Sequence, residues 1–96
     1  MYVIIRRFNR LKSVAEAARR AESGIGQLMK QSPGFLGYYV FDGGSGVGGS
    51  ITLFDSREEA LVANDKALAW IRASLTDLID GEPEITAGEV LASVTP

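Results

Sequence analysis

The sequence predicts an α+β domain with the element order βαββαβ, and three observations carry that expectation. Two Ser-x-x-Glu capping boxes, "SVAE" (13–16) and "SREE" (56–59), each open a stretch with helical periodicity. Four stretches rich in β-branched and aromatic residues flank and separate them, at 2–8, 35–42, 50–55 and 84–94. A chain of 96 residues, 46% hydrophobic and 23% charged, has the composition of an ordinary globule and the length of one domain with a modest core. Residues 1–96 are therefore taken as a single unit, without linker, repeat or low-complexity tail.

"YVIIRRF" (2–8) is the first strand. Ser13 then caps a helix: its hydroxyl can accept the Glu16 N–H while Glu16 reaches back. Val14, Ala18, Ala21, Ile25 and Leu28 recur at spacings of three and four and form one apolar stripe. "SPG" (32–34) stops this helix, because proline drives its predecessor out of the α region. "FLGYYVFD" (35–42) and "SITLFD" (50–55) are the second and third strands. The second capping box opens a helix over residues 57 to 79, with Leu61, Leu68, Ile71, Leu75 and Ile79 as its inward stripe. "DGEP" (80–83) ends it, and "EITAGEVLASV" (84–94) is the last strand.

Right-handed crossovers turn this order into a ferredoxin-like arrangement, a four-stranded antiparallel sheet with both helices on one face. Strand alternation assigns the faces. On strand three, Val47, Gly49, Ile51 and Leu53 point one way and Ser50, Thr52 and Phe54 the other. On strand two, Leu36, Tyr38 and Val40 alternate with Phe35, Gly37, Tyr39 and Phe41. Both faces are too apolar for the helix-free one to stand in water. A second copy of the chain is expected to cover it, giving a homodimer.

Charge and two missing residue types exclude much chemistry. The net charge of −2 leaves no electrostatic footprint for nucleic acid or an anionic membrane. An RNA-recognition sheet of the same strand order is set aside too, because strand three lacks its basic, glycine and aromatic signature. No apolar run approaches the ~20 residues of a membrane span. The apolar stretch of "MYVIIRRFNR" precedes its arginines, the reverse of a secretory signal, so a cytoplasmic location is expected. "RRAE" (19–22) reads as a solvated helix face. The chain has no cysteine and no histidine. Disulfides, thiolate nucleophiles, histidine triads, zinc hydrolysis and histidine-ligated haem fall away, and no cofactor or metal is expected. Catalysis would have to use Asp, Glu, Asn, Arg, Tyr, Trp, Ser or Lys.

"GGSGVGGS" (43–50) fits the dinucleotide fingerprint as Gly44, Gly46 and Gly49, and nearly fits a phosphate loop as Gly43, Gly48, Gly49 and Ser50. Both motifs need a helix directly after the glycines, whose N-terminus holds the phosphate. Here a strand follows, so the run is a hairpin. Its length predicts a mobile tip, with a flap over a pocket as the functional version.

The stretches "SPGFLGYYVFDGG", "SITLFDSREEALVANDKALAWI" and "PEITAGEVLASV" together resemble the antibiotic-biosynthesis-monooxygenase-like branch of the dimeric α+β barrel superfamily. The markers are Pro-Gly-Phe before strand two, "FDS" leading into the second helix and an aromatic late in that helix, and they span nearly the whole chain. The resemblance implies a ferredoxin-like domain whose open sheet face meets a two-fold mate, with a pocket in each half. It covers cofactor-independent quinol monooxygenases, haem-degrading enzymes and members without an assigned role, and this chain is most similar to the last group. In the quinol monooxygenases an Asn, a Trp and nearby Tyr or Arg side chains position substrate and oxygen. By that resemblance Asn64 and Trp70 lie in the right helix. Their spacing departs from a tight pair, since six residues turn a helix by about 600° and set the side chains about 120° apart. The haem-degrading activity depends on a His ligand that this chain lacks.

The candidate catalytic residues are thus Asn64, Trp70 and Tyr38, and the candidate ligand-binding residues Arg6, Arg7, Phe54 and Glu89. Each has a structural alternative. Asn64 can be a satisfied amide tying its helix to a neighbour. Trp70, pointing away from the helical stripe, can pack on an extended terminus or on the mate. Arg6 or Arg7 can pair with Glu89 across strands one and four. Tyr38, Tyr39 and Phe54 fit the ordinary strand preference for aromatics. The expected function is a small-ligand protein with an apolar, aromatic pocket enclosed between two copies. If catalytic, it is a cofactor-independent monooxygenase for an electron-rich aromatic or quinol. The alternative is a non-catalytic ligand-binding or stress-related dimer.

Overall fold

Alternation along the first strand decides which side of the sheet meets the helices. In the computed structural model, which describes residues 1–96, β1 (Tyr2–Phe8) buries Ile4, Arg6 and Phe8 and leaves Arg7 exposed. It is followed by α1 (Val14–Ser23), α2 (Ile25–Lys30), β2 (Phe35–Gly44), β3 (Val47–Phe54), α3 (Arg57–Ser74) and β4 (Glu84–Glu89). The strands form one antiparallel sheet in the order β2-β3-β1-β4. The helices cover one face, α3 over β1 and β3, α1 and α2 over β2. This is the expected ferredoxin-like α+β fold. Ile4, Phe8, Phe54, Ile25, Met29 and Ile71 form the centre of the core between the layers. No helix is long and apolar enough to cross a membrane.

Strand three keeps the predicted alternation: Ser50, Thr52 and Phe54 are buried beneath the helices. Strand two does not keep it throughout. A register shift between Phe35 and Gly37 makes Leu36 an extra residue and brings Phe35 onto the helix side. There its ring meets Phe54 edge to face, with centroids 6.0 Å apart.

The first predicted helix is two helices. They join at Gly24, where φ is −103° and ψ −88°. The Trp70 indole lies so close over Gly24 that a Cβ there would collide with it. The buried positions are Ala17, Ala21, Ile25 and Met29, and Leu28 turns outward. The last helix ends at Ser74, and the Leu75 N–H closes it on the Ile71 carbonyl. Its buried face consists of Ala60, Ala63, Asn64, Ala67 and Ile71, while Leu61 is 40% exposed. Of the predicted stripe, Ile71 and Leu75 are buried and Leu68 and Ile79 pack against the core, so only Leu61 departs from it. Small side chains face the sheet because the helix lies near it, and interaxial distance follows the size of the contact residues. The last strand stops at Glu89, short of the predicted 94. Val90 still donates to the Met1 carbonyl at 2.9 Å, and beyond it Leu91 and Val94 are almost fully exposed.

The glycine run is a minimal hairpin. Gly44 pairs with Val47, so Ser45 and Gly46 are the two loop residues, with φ of 54° and 79°. Positive φ at both positions is the type I′ turn that matches strand twist. The Leu11 N–H donates to the Gly46 carbonyl at 2.9 Å and ties the tip to the loop after β1. The expectation of a longer turn is thereby corrected. The remaining glycines belong to the strands, and at Gly49 a side chain would collide with the Arg6 carbonyl.

Both capping serines accept the predicted N–H, Ser13 from Glu16 and Ser56 from Glu59, each at 3.2 Å. Only the second box is reciprocal at the side chain, Ser56 donating to Glu59 Oε1 at 2.9 Å. The Glu16 carboxylate is instead taken by Arg19 and Arg20. Arg20 continues to Asp77 at 2.8 and 3.0 Å and to the Ser74 carbonyl at 3.1 Å. The "RRAE" face is therefore more than a solvated surface, because Arg20 fastens α1 to the turn after α3.

Two outcomes follow from these contacts. The hydrogen bonds from Arg19, then Arg20, hold the Glu16 carboxyl down to about 2. A depressed carboxyl stabilises the fold above its unfolded pKa and loses that contribution as pH falls towards its folded one. Thermal melts between about pH 4.5 and pH 2 should therefore show a smaller acid-induced drop for Arg20→Gln than for the native chain. Gly24→Ala should cost about 1–3 kcal/mol in denaturant unfolding, as overpacking does, with an accompanying change in Trp70 fluorescence.

Candidate functional site

The packing of α1, α2 and the later turns of α3 against β2 and β3 leaves a cavity inside one chain. Its walls are apolar and aromatic, among them Phe8, Val14, Tyr38, Trp70 and Leu75, and Ser50 contributes a hydroxyl. About 30 Å³ is free to the centre of a water-sized sphere, so the walls nearly close on one another. This cavity lies on the helix side of the sheet, within one chain. The reason is visible in β3: the face carrying Ser50 and Thr52 is the one the helices cover.

Below the Ser50 edge of this cavity lies a polar cluster built around Arg6. β1 places Arg6 opposite Ser50, and the helices bury it completely. Its Nε donates to Asn64 Oδ1 at 2.8 Å. Its Nη1 donates to Thr52 Oγ1 at 2.9 Å and to Ser50 Oγ at 3.2 Å. Its Nη2 is buried with no hydrogen-bond partner. Burial pulls the Arg6 pKa down to about 10, and the nearby Tyr38 phenol acts in the opposite direction. Burial likewise pushes the Tyr38 phenol up, while Ser50 and Arg6 draw it back. Arg6 remains a cation at neutral pH, and none of the ion pairs in the structure includes it.

Tyr38 stands between two spaces. Outside it, along the edge strand β2, runs an open groove bordered by Arg19, Gln27, Lys30 and Tyr39. Ala18, Tyr38 and Val40 border both the groove and the inner cavity. These three side chains are the partition between solvent and the cavity. Gly26 lies beside the Tyr38 ring, where even a methyl group would be in van der Waals contact at 3.6 Å.

The predicted site residues divide accordingly. Asn64 and Arg6 form one hydrogen-bonded unit, and Tyr38 and Trp70 line the cavity. Trp70 packs on Gly24 at the α1–α2 junction rather than on a terminus. Asn64 and Trp70 serve different walls, in keeping with their angular separation on α3. Arg7 points to the helix-free face, opposite Gly49 and Glu84, and takes no part. Phe54 is a fully buried core residue against Phe35 and does not line the cavity. Glu89 sits opposite Tyr2, exposed, and the expected pair with Arg6 or Arg7 does not form. The chain re-enters the sheet at the Arg7 end of β1, so Glu84, five residues earlier, arrives where Glu89 was expected. Ser50 and Thr52 were missed as site residues. The signal was their shared face in "SITLF", but identifying their partner required the β1–β3 register.

No family model and no curated protein matches the sequence. Solved structures do match over almost the full chain. A Nitrosomonas europaea protein of unknown function, NE2512, is 17% identical, with a TM-score of 0.78 over 99% of this chain and 93% of that one. The Streptomyces coelicolor ActVA-Orf6 monooxygenase, solved with nanaomycin D, is 18% identical, with a TM-score of 0.78 over 99% and 91%. SnoaB of Streptomyces nogalater, a cofactor-independent oxygenase solved as an Asn-to-Ala mutant, is 12% identical, with a TM-score of 0.77 over 99% and 97%. The chain thus has the fold of the antibiotic-biosynthesis-monooxygenase-like proteins, a group that includes members of unknown function.

Proposed function

We propose that this chain binds a flat, electron-rich aromatic in the cavity behind Tyr38 and acts on it as a cofactor-independent monooxygenase. One observation carries the reading: an aromatic-walled cavity is bordered by Ser50, whose hydroxyl accepts from Arg6, itself bonded to Asn64 behind the wall. Such a substrate supplies the electrons that reduce dioxygen. The chain supplies orientation between Tyr38 and Trp70, dry walls and donors directed at developing negative charge. The oxygenases of the same fold support it. Because the cavity is so small, a ring fits only when its walls move apart, with Tyr38 shifting towards the outer groove.

The small free volume favours a second reading, a binding protein without turnover. Oxygen uptake with a panel of quinols and anthrone-type phenols separates the two. Oxygen-dependent product in the native chain, reduced at least tenfold in Asn64→Ala, supports the oxygenase; saturable binding with no uptake supports the second reading. Asn64→Ala also leaves Arg6 Nε without its acceptor. It should lower unfolding free energy by about 1–3 kcal/mol, measured in urea, and Asn64→Asp, which restores an acceptor, should recover much of that loss.

We also propose a homodimer through the helix-free sheet face. Val3, Ile5, Ile51 and Leu53 lie there partly exposed, beside a 60% exposed Tyr39. Burying that face would remove a broad apolar surface from water. Sedimentation at micromolar concentration should give a dimer for the native chain and a folded monomer for Ile51→Lys. A native monomer would refute the dimer and leave the cavity, enclosed by one chain, in place.

A further inference from the structure

Two aspartates in this chain precede a glycine, Asp42 and Asp80, and the fold treats them differently. A glycine in that place leaves its peptide nitrogen without a Cβ beside it, so the carboxyl group of the preceding side chain can approach it. The ring between them closes only where the backbone is free to bring nitrogen and carboxyl carbon together, and an ordered strand resists this. Asp42 and Gly43 both lie in β2, with Asp42 paired opposite Gly48. Asp42 Oδ1 accepts from the Gly44 N–H at 2.9 Å, so the carboxylate is engaged one residue past the nitrogen that would attack it. Asp80 and Gly81 lie between α3 and β4, outside any helix or strand. The Asp80 side chain is 71% exposed, and its ionic partner Arg10 stands 3.6 Å away, itself 78% exposed, a pair that solvent weakens. Gly81 has a φ of +91° and open space on its side-chain side, with nothing within 4 Å of where a Cβ would stand.

We infer that Asp80 is a site of spontaneous backbone modification, isomerising through a cyclic imide to isoaspartate in the folded protein, while Asp42 is protected by its strand. The Gly81 nitrogen bonds to the Asp80 Cγ, and the carboxyl hydroxyl leaves as water with the amide proton. Water then adds to one of the two imide carbonyls. Opening at the side-chain carbonyl restores aspartate. Opening at the main-chain carbonyl leaves the chain running through Cγ, one carbon longer, with the former main-chain carbonyl as a free carboxylate. Nothing is oxidised or reduced, the charge is unchanged, and water is the sole co-reactant. The extra carbon falls between two anchored points. Ile79 is bridged to Leu11 just before it, and β4 begins at Glu84 just after it. The intervening residues 80–84 are all exposed apart from the half-buried Pro83, so the segment has room to accept the longer backbone.

Ageing the native chain at neutral pH in water enriched in heavy oxygen tests this, because each ring opening places one solvent oxygen in the residue. After proteolysis in ordinary water, tandem mass spectrometry should find the label at Asp80 and at least about tenfold less at Asp42, the factor set by a local opening cost of about 1.4 kcal/mol. The labelled Asp80 peptide should also separate into two chromatographic forms of equal mass, aspartate and isoaspartate. In concentrated urea, where β2 no longer holds Asp42, the two positions should label at similar rates. Asp80→Glu would have to close a larger ring; it should melt as the native chain does and lose the label at that position. Absence of label at native Asp80, or equal label at native Asp42, overturns the inference. So does a labelled Asp80 peptide that runs as a single form, or label that persists at position 80 in Asp80→Glu.

Discussion

A guanidinium on the helix-facing side of a central strand can be covered only if its donors are met as the layers close, and the layers here close around Arg6. Its acceptors come from three elements: Asn64 from α3, Ser50 and Thr52 from β3, with Arg6 itself on β1. Each is held by a separate constraint. The two hydroxyls face the helices because of strand alternation, and Asn64 faces the sheet because Ala60, Ala63 and Ala67 bring that side of α3 close. A leucine in place of those alanines would lift the helix and lengthen the Asn64 contact beyond hydrogen-bond reach. The small residues of α3 and the polar centre of the site are therefore one arrangement.

The same closeness shapes the cavity. Where α3 carries Ile71 and Leu75, and Trp70 reaches across to Gly24, the layers separate enough to leave space. The break between α1 and α2 occurs at that junction. Tyr38 stands between the cavity and the outer groove, and burial pushes its phenol up while Ser50 and Arg6 draw it back. The cavity thus combines apolar and aromatic walls with the Ser50 hydroxyl at one edge.

The local features of the fold were legible in the sequence. Both capping serines, the alternation of β3 and the strand-like context of the glycines depend on neighbours within a few residues. What was misjudged depends on contacts made at a distance. Leu61 was placed in the stripe of the last helix by hydrophobicity, whereas steric approach to the sheet selected alanines. The Glu89 pairing failed because strand registry is set by where the chain re-enters the sheet. Phe54 was nominated for its aromatic surface, but a one-residue bulge in β2 brings Phe35 over it in the core. Of the site, Asn64 and Trp70 were nominated through the family resemblance, and Tyr38 and Arg6 by chemical type. Their division into a hydrogen-bonded base and a cavity wall could not be foreseen, since it is a property of three elements at once.

The cavity is formed by residues of a single chain, and this has a consequence for ligand titrations. Stoichiometry should be one site per polypeptide whatever the assembly, and half-saturation should not move with protein dilution as long as the fold persists. A saturation curve that steepened or shifted with dilution would mean instead that copies of the chain associate and that association is coupled to the cavity.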